Sequence, residues 1–218
     1  MDDDGLEDRR VFLSPFGRPT PTVSKPDWFE AVARLIVDGP GVEDRIAGVV
    51  RAHVEDDGGT TFTYKVQRRG DLARCTSLDG SVHFIAGRET VWRRREDGTQ
   101  WMAERPRSRG AYAPDDYEFG VTRDDAERWE GDDFTTPTGP ARDTTFLGRA
   151  AWEIELAPPP HKPEPMQITV DRSTGLILRQ ANAAFGTFHE WIGLDSDPDL
   201  PDELFTLRPA DRVAVRYG

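Results

Sequence analysis

Residues 60–104 read TTFTYKVQRRGDLARCTSLDGSVHFIAGRETVWRRREDGTQWMAE. Phe62, Tyr64 and Val66 alternate with Thr61, Thr63, Lys65 and Gln67, the period of two of a strand with one wet face. Gly70-Asp71, Asp79-Gly80, Gly87-Arg88 and Asp97-Gly98 then divide the rest into short runs at residues 72–78, 82–86, 89–95 and 99–104. Asp-Gly tolerates the positive φ angles of tight hairpin turns. Short runs joined by such turns describe an antiparallel meander.

Working outward, a helix precedes this meander. Ser24 and Asp27 have capping-box spacing around Pro26, and Trp28, Val32, Leu35 and Ile36 share one helical face. Gly39-Pro40-Gly41 ends it. Residues 43–54 suit either period and are read as a helical turn followed by a strand. Beyond the meander, residues 105–145 carry Pro106, Pro114, Pro137 and Pro140 and break the rhythm. A short helix is expected at residues 123–130, anchored by Trp129. A second β run follows: Ala150, Trp152, Ile154 and Leu156 alternate with Ala151, Glu153 and Glu155. Pro158-Pro159-Pro160 halts that strand. Met166, Ile168 and Val170 begin the next, Asp171-Arg172-Ser173-Thr174-Gly175 turns the chain, and strands are read at 176–182, 187–194 and 212–217.

Three stretches carry a resemblance: Phe146–Leu156, Met166–Leu178 with its Asp-x-x-Thr-Gly turn, and Leu200-Pro201-Asp202-Glu203-Leu204-Phe205. In this order they resemble the lipoprotein-carrier (LolA/LppX-like) superfamily and its actinobacterial members, over roughly residues 60–208. The resemblance implies a curved antiparallel sheet or half-open β-barrel, mainly β with some α, whose helices cover the concave face. It also implies a cavity that holds acyl chains in some members. The organisation expected is a flexible acidic and Pro-rich segment at 1–23 and one half-barrel domain at 24–218.

Composition narrows the partners. Of 218 residues, 40 are acidic and 28 basic, a net charge of −12 that disfavours nucleic-acid phosphates and anionic membranes. Cys75 is the only cysteine, and Met1-Asp2-Asp3-Asp4-Gly5 is the opposite of a basic signal-peptide start, so a reducing, cytoplasmic location is expected. No run approaches the ~20 apolar residues of a membrane span.

Chemistry-bearing motifs are sparse. No phosphate-binding Gly loop, zincin helix or nucleophile elbow is present, so no enzyme, cofactor or metal is expected. His53, His83, His161 and His189 are scattered. Cys75, beside Ala73 in a strand, reads as a small buried hydrophobe. Asp195-Ser196-Asp197-Pro198-Asp199 imitates the start of a calcium loop but has Leu200 where that loop needs Gly, and reads as an acidic surface loop.

Two features suggest binding. Phe62, Tyr64, Trp92, Trp101, Trp152 and Ile154 are candidates to line an apolar cavity, with the N-terminal helix as its plug. Arg93 and Arg95, in a basic concentration with Arg94, Arg105, Arg107 and Arg109, are candidates to meet an anionic group or acidic partner, or else to pair with Glu89, Glu96 and Glu104. The expected function is therefore a non-catalytic protein holding a lipid or other apolar ligand. The alternative is a protein–protein interaction or regulatory module without a small ligand. Trp152 is expected to point inward, against Tyr64 or Trp101.

Overall fold

The computed structural model describes residues 25–39, 45–55, 59–94, 98–104, 119–121, 129, 135–160, 162 and 164–208. The expected N-terminal segment at 1–23, most of the helix at 123–130 and the strand at 212–217 lie outside the described residues.

One helix, α1 (Asp27–Asp38), precedes eleven strands. They are β1 (Arg45–Val54), β2 (Thr60–Arg69), β3 (Leu72–Ser77), β4 (Val82–Ala86), β5 (Thr90–Arg94), β6 (Gln100–Glu104), β7 (Arg142–Phe146), β8 (Arg149–Leu156), β9 (Met166–Asp171), β10 (Ile177–Asn182) and β11 (Thr187–Asp195). They form one curved, unclosed antiparallel sheet in the order β6-β5-β4-β3-β2-β1-β11-β10-β9-β8-β7. The sheet is two meanders joined back to back. Each strand pairs with its chain neighbour except at the centre, where β1 and β11 meet. That pairing alone spans most of the chain, so it carries the largest loop-closure cost and must be secured by packing.

Several elements differ from the sequence expectation. Residues 45–54 are one continuous strand with no helical turn, because this central strand is held by partners on both sides. Pro26 stands at the N-cap of α1 in place of Ser24, and Phe29 joins Val32 and Ile36 on the buried face while Trp28 and Leu35 are less buried. β7 occupies residues read as part of a Pro-broken stretch. It returns to β8 through Leu147-Gly148, both at positive φ.

Register defines the inner face. Val50 stands opposite Tyr64 on one side and Trp191 on the other, and the row Gly48, Val66, Cys75, Phe84 runs parallel to it. Tyr64, Val66, Cys75, Phe84 and Trp191 are all fully buried. Burial of large apolar side chains is worth roughly 1.5–3 kcal/mol each. At the β8–β9 end of the same face, Phe29, Val32 and Ile36 of α1 pack on Ile154, Leu156, Ile168 and Val170, with Trp129 edge-on to Phe29 at 5.8 Å. At the centre, residues 119–121 lie across the face. The Tyr64 hydroxyl donates to Phe119 O at 3.3 Å, and Arg68 Nη1 to Gly120 O at 3.2 Å.

The turn after β9 seats the helix. Asp171 Oδ1 accepts from Ser173 N (2.8 Å), Ser173 Oγ (2.6 Å) and Thr174 N (2.9 Å), and Oδ2 pairs with Arg149 Nε. Gly175 closes the turn at φ 70, and a Cβ there would overlap the Leu35 carbonyl of α1. Only glycine serves both the positive φ and the close approach.

The Leu-Pro-x-x-Leu-Phe segment straps the outer face instead. A 3-10 helix at Asp202–Phe205 crosses β2 to β5: Leu200 O accepts from Arg69 Nη1 at 2.7 Å, Leu204 O from Arg74 Nη1 at 3.2 Å, and Asp202 pairs with Arg69 and Arg88. Leu207 packs there on Val82, Ile85 and Trp92.

Candidate functional site

The aromatic candidates are not one lining. Tyr64 and half-buried Phe62 stack at 5.9 Å within the central inner cluster. Trp152 and Ile154 belong to the separate cluster under α1. Trp92 points to the outer face, beneath the C-terminal strap, because it is paired with Ile85 and alternates with inward Val91. Trp101 is 40% exposed at the sheet edge. A curved sheet spreads strands that look adjacent in a pattern, and alternation sends Trp92 and Trp101 to opposite faces.

Trp152 needs its own correction. It is half-buried, faces Val170 and Asp143 across its neighbours, and carries the Arg172 guanidinium 5.1 Å from its ring centre, remote from Tyr64 and Trp101. Trp152→Ala is accordingly expected to lower stability by only about 1–3 kcal/mol, less than a fully buried ring would give. A urea titration checks this, and a loss above that range would show a deeper burial than the geometry gives.

Two concave surfaces remain. A groove of about 210 Å³ opens on the inner side beyond the packed centre, lined by Met166, Gln180, Asn182, Phe185, Thr187 and His189 among others. A wider, open groove of about 570 Å³ crosses β11, β1 and β2. Its wall residues Ala47, Val49, Lys65, Gln67 and Asp195 stand on the outer face by register, opposite the row of Gly48 and Val66. No motif in the sequence marked either groove. The small residues Ala47 and Gly193 on central strands were the available signal.

The basic concentration is realised at the first sheet edge. Arg93 lies 4.9 Å from the Trp101 ring centre and Arg94 6.0 Å from that of Trp92. Among the described residues neither arginine makes an ion pair with Glu89 or Glu104; Glu96, the third expected cross-strand partner, lies outside the described residues. Arg95, Arg105, Arg107 and Arg109 lie outside the described residues.

The titratable groups offer little chemistry. Burial pushes the Cys75 thiol up, out of the range where a thiolate forms. His83 Nε2 meets Ser77 Oγ at the β3–β4 bulge, and burial together with Arg94 lowers the imidazole from its usual value. Asp195 Oδ1 accepts from Asp197 N at 3.1 Å, the self-contained turn of an acidic loop. Among the described residues no three His, Cys, Asp or Glu side chains gather as metal ligands, and no helix is long and apolar enough to cross a membrane.

Comparison with known proteins places the fold. No protein-family model matches the chain, and no curated protein matches its sequence. A chain in the solved complex of Pseudomonas aeruginosa MucA and MucB matches at TM-score 0.50 and 16% identity, over 85% of this chain and 61% of that one. The likeness is one of fold, and the chain spans about three-fifths of that chain's length. An uncharacterized conserved protein from Thermus thermophilus matches at TM-score 0.46 and 8% identity, over 85% of this chain and 95% of that one. A LolA superfamily protein from Nitrosomonas europaea matches at 0.34 and 12%, over 84% and 98%. The unclosed antiparallel sheet that the lipoprotein-carrier resemblance implies is the architecture observed.

Proposed function

We propose that the protein is a non-catalytic binding module and that it takes a protein segment rather than an acyl chain. The observation that carries this reading is the occupied inner face. Tyr64, Val66, Phe84 and Trp191 are fully buried by the chain itself, and α1 fills the β8–β9 end. The inner groove of about 210 Å³ falls below the ~300–1,000 Å³ usual for small-ligand sites. The larger groove is open and mixed in polarity, the character of a surface that meets another chain. Likeness of fold adds support by analogy alone, since MucB is seen in complex with MucA.

Native mass spectrometry of the purified full chain, paired with organic extraction, tests the reading. The expected spectrum is the bare protein mass. A stoichiometric lipid adduct would overturn the reading and restore the apolar-ligand alternative. Cross-linking in the native cell is expected to join the chain to another protein through sheet-face or edge residues.

A further inference from the structure

The arginines of this acidic chain are, for the most part, matched on the sheet. Arg51 and Arg179 meet Glu190, Arg69 and Arg88 meet Asp202, Arg142 meets Glu153, Arg149 meets Asp171, and Arg172 meets Asp143. Arg93 and Arg94 break this pattern. Among the described residues neither makes an ion pair with a carboxylate, the Nε of each is buried without a hydrogen bond, and Arg94 acts on Asp79 and His83 only at longer range. Each lies over a tryptophan instead, the guanidinium drawn to the face of the ring.

Their position matters as much as their charge. They stand on β5, one strand in from β6, which ends the sheet and has β5 as its partner strand among the described residues. An edge strand offers a row of backbone donors and acceptors that an added strand can satisfy. β6 also exposes Trp101 (40%) on the inner side and Met102 (57%) on the outer. Natural edges are usually blunted by charge or proline. This one carries a single charge, Glu104 at its end, no lysine or proline, and displays two large apolar side chains. A strand laid against β6 stands two spacings of ~4.8 Å from β5, a gap that an arginine and a facing glutamate side chain span together.

We propose that β6 is a docking edge for an extended, acidic protein segment, which adds a twelfth strand and brings carboxylates to Arg93 and Arg94. The assignment rests on the protein-segment reading above and names its site and partner chemistry. Alternation explains the recognition. Residues of the added strand that point inward meet Trp101 and Arg93, and those that point outward meet Met102 and Arg94. An extended peptide satisfies both the backbone edge and the guanidinium groups, whereas a lipid headgroup satisfies only the charge.

The test uses the full chain and a fluorescently labelled peptide of about ten residues with alternating Glu and Val, long enough for one strand. Its Gln-Val counterpart is the control. Anisotropy is expected to show the Glu peptide binding at least about tenfold tighter, with affinity falling as salt rises from about 50 to about 300 mM. The double variant Arg93→Glu, Arg94→Glu is expected to lose that preference. Arg93→Gln, which keeps a stem over Trp101, is expected to lose less in the same direction and guards against a misfolded double variant. Hydrogen exchange is expected to slow in Gln100–Glu104 on peptide binding. Equal affinity for the two peptides, or protection in the β11–β1–β2 groove in place of β6, would overturn the edge assignment. So would a dimer of the free protein paired through β6, or displacement of the peptide by anionic phosphatidylserine vesicles. Any of these with a lipid-free native mass spectrum leaves the protein-segment reading standing. A lipid adduct removes that reading itself.

Discussion

Trp191→Ala is expected to lower stability by about 3–5 kcal/mol, the range for deleting a fully buried large ring. Trp191 is 0% exposed and stands at the one junction that joins the two meanders, β1 with β11. Its ring lies between two glycines. A Cβ at Gly48 on one side or at Gly120 on the other would overlap the indole. Its Nε1 donates to Ile177 O at 3.2 Å, and Phe119 tilts against it with centroids 6.3 Å apart. Backbone walls this close cannot collapse into the space an alanine leaves, so the cavity term stays nearly whole. Against a domain stability of ~5–15 kcal/mol, the variant should be near its unfolding threshold. A denaturant titration followed by far-ultraviolet circular dichroism measures this. Trp191→Phe should recover much of the loss. A midpoint unchanged in Trp191→Ala would show that the central junction does not depend on this ring.

Asp171→Ala is expected to cost about 2–4 kcal/mol, because it strands several donors that the carboxylate now satisfies, including a partly buried arginine. The side chain is 1% exposed. Burial alone raises its pKa, but Arg149, the Ser173 hydroxyl, and the amides of Ser173 and Thr174 together outweigh burial and hold it at about 2. The folded pKa is thus below the unfolded one. The stability it contributes is fully present above about pH 4 and is lost as pH falls toward about 2. From the size of the depression this component is on the order of 2 kcal/mol. Asp171→Asn should therefore flatten the acid limb of the stability–pH curve while leaving its shape near neutrality unchanged. A wild-type curve with no fall between about pH 4 and pH 2 would show that Asp171 is not held ionised. The effect on structure should be local first. The turn seats the end of α1 through Gly175, so the helix and its cluster under Trp129 should lose protection before the central strands do.

Much of the sheet was legible because its turns are local. Gly70-Asp71 and Asp79-Gly80 mark the hairpins of β2 to β4, and the alternation of Phe62, Tyr64 and Val66 fixes a face within one strand. β7 was hidden because its turn places Leu147, a residue that gives no turn signal, at positive φ. β11 was readable as a strand but misleading as a pattern. Trp191 stands opposite Val50 and so points inward, while Phe188, opposite His53, points outward; the pairing with β1 shifts only beyond Trp191, between Val49 and Val50, which leaves Ile192 as the extra residue, 44% exposed. Counting by twos from Phe188 would bury Ile192 and expose Trp191, and only the partner strand decides otherwise.

The sequence by itself determined the mainly β class, the meander from β2 to β6, the existence of a second β run, and the Asp-x-x-Thr-Gly turn, since each depends on residues a few positions apart. Tertiary structure alone decided the rest. It parted the aromatic candidates among two inner clusters, the outer face and the edge, and among the described residues it left Arg93 and Arg94 without an ion pair. It also closed the inner face around Trp191. Those outcomes follow from how far the sheet curves and where β1 meets β11, and that pairing joins residues some 140 positions apart, such as Arg51 and Glu190. No periodicity reaches that far: a strand's pattern says which residues share a face, while the packing of distant strands says what that face touches.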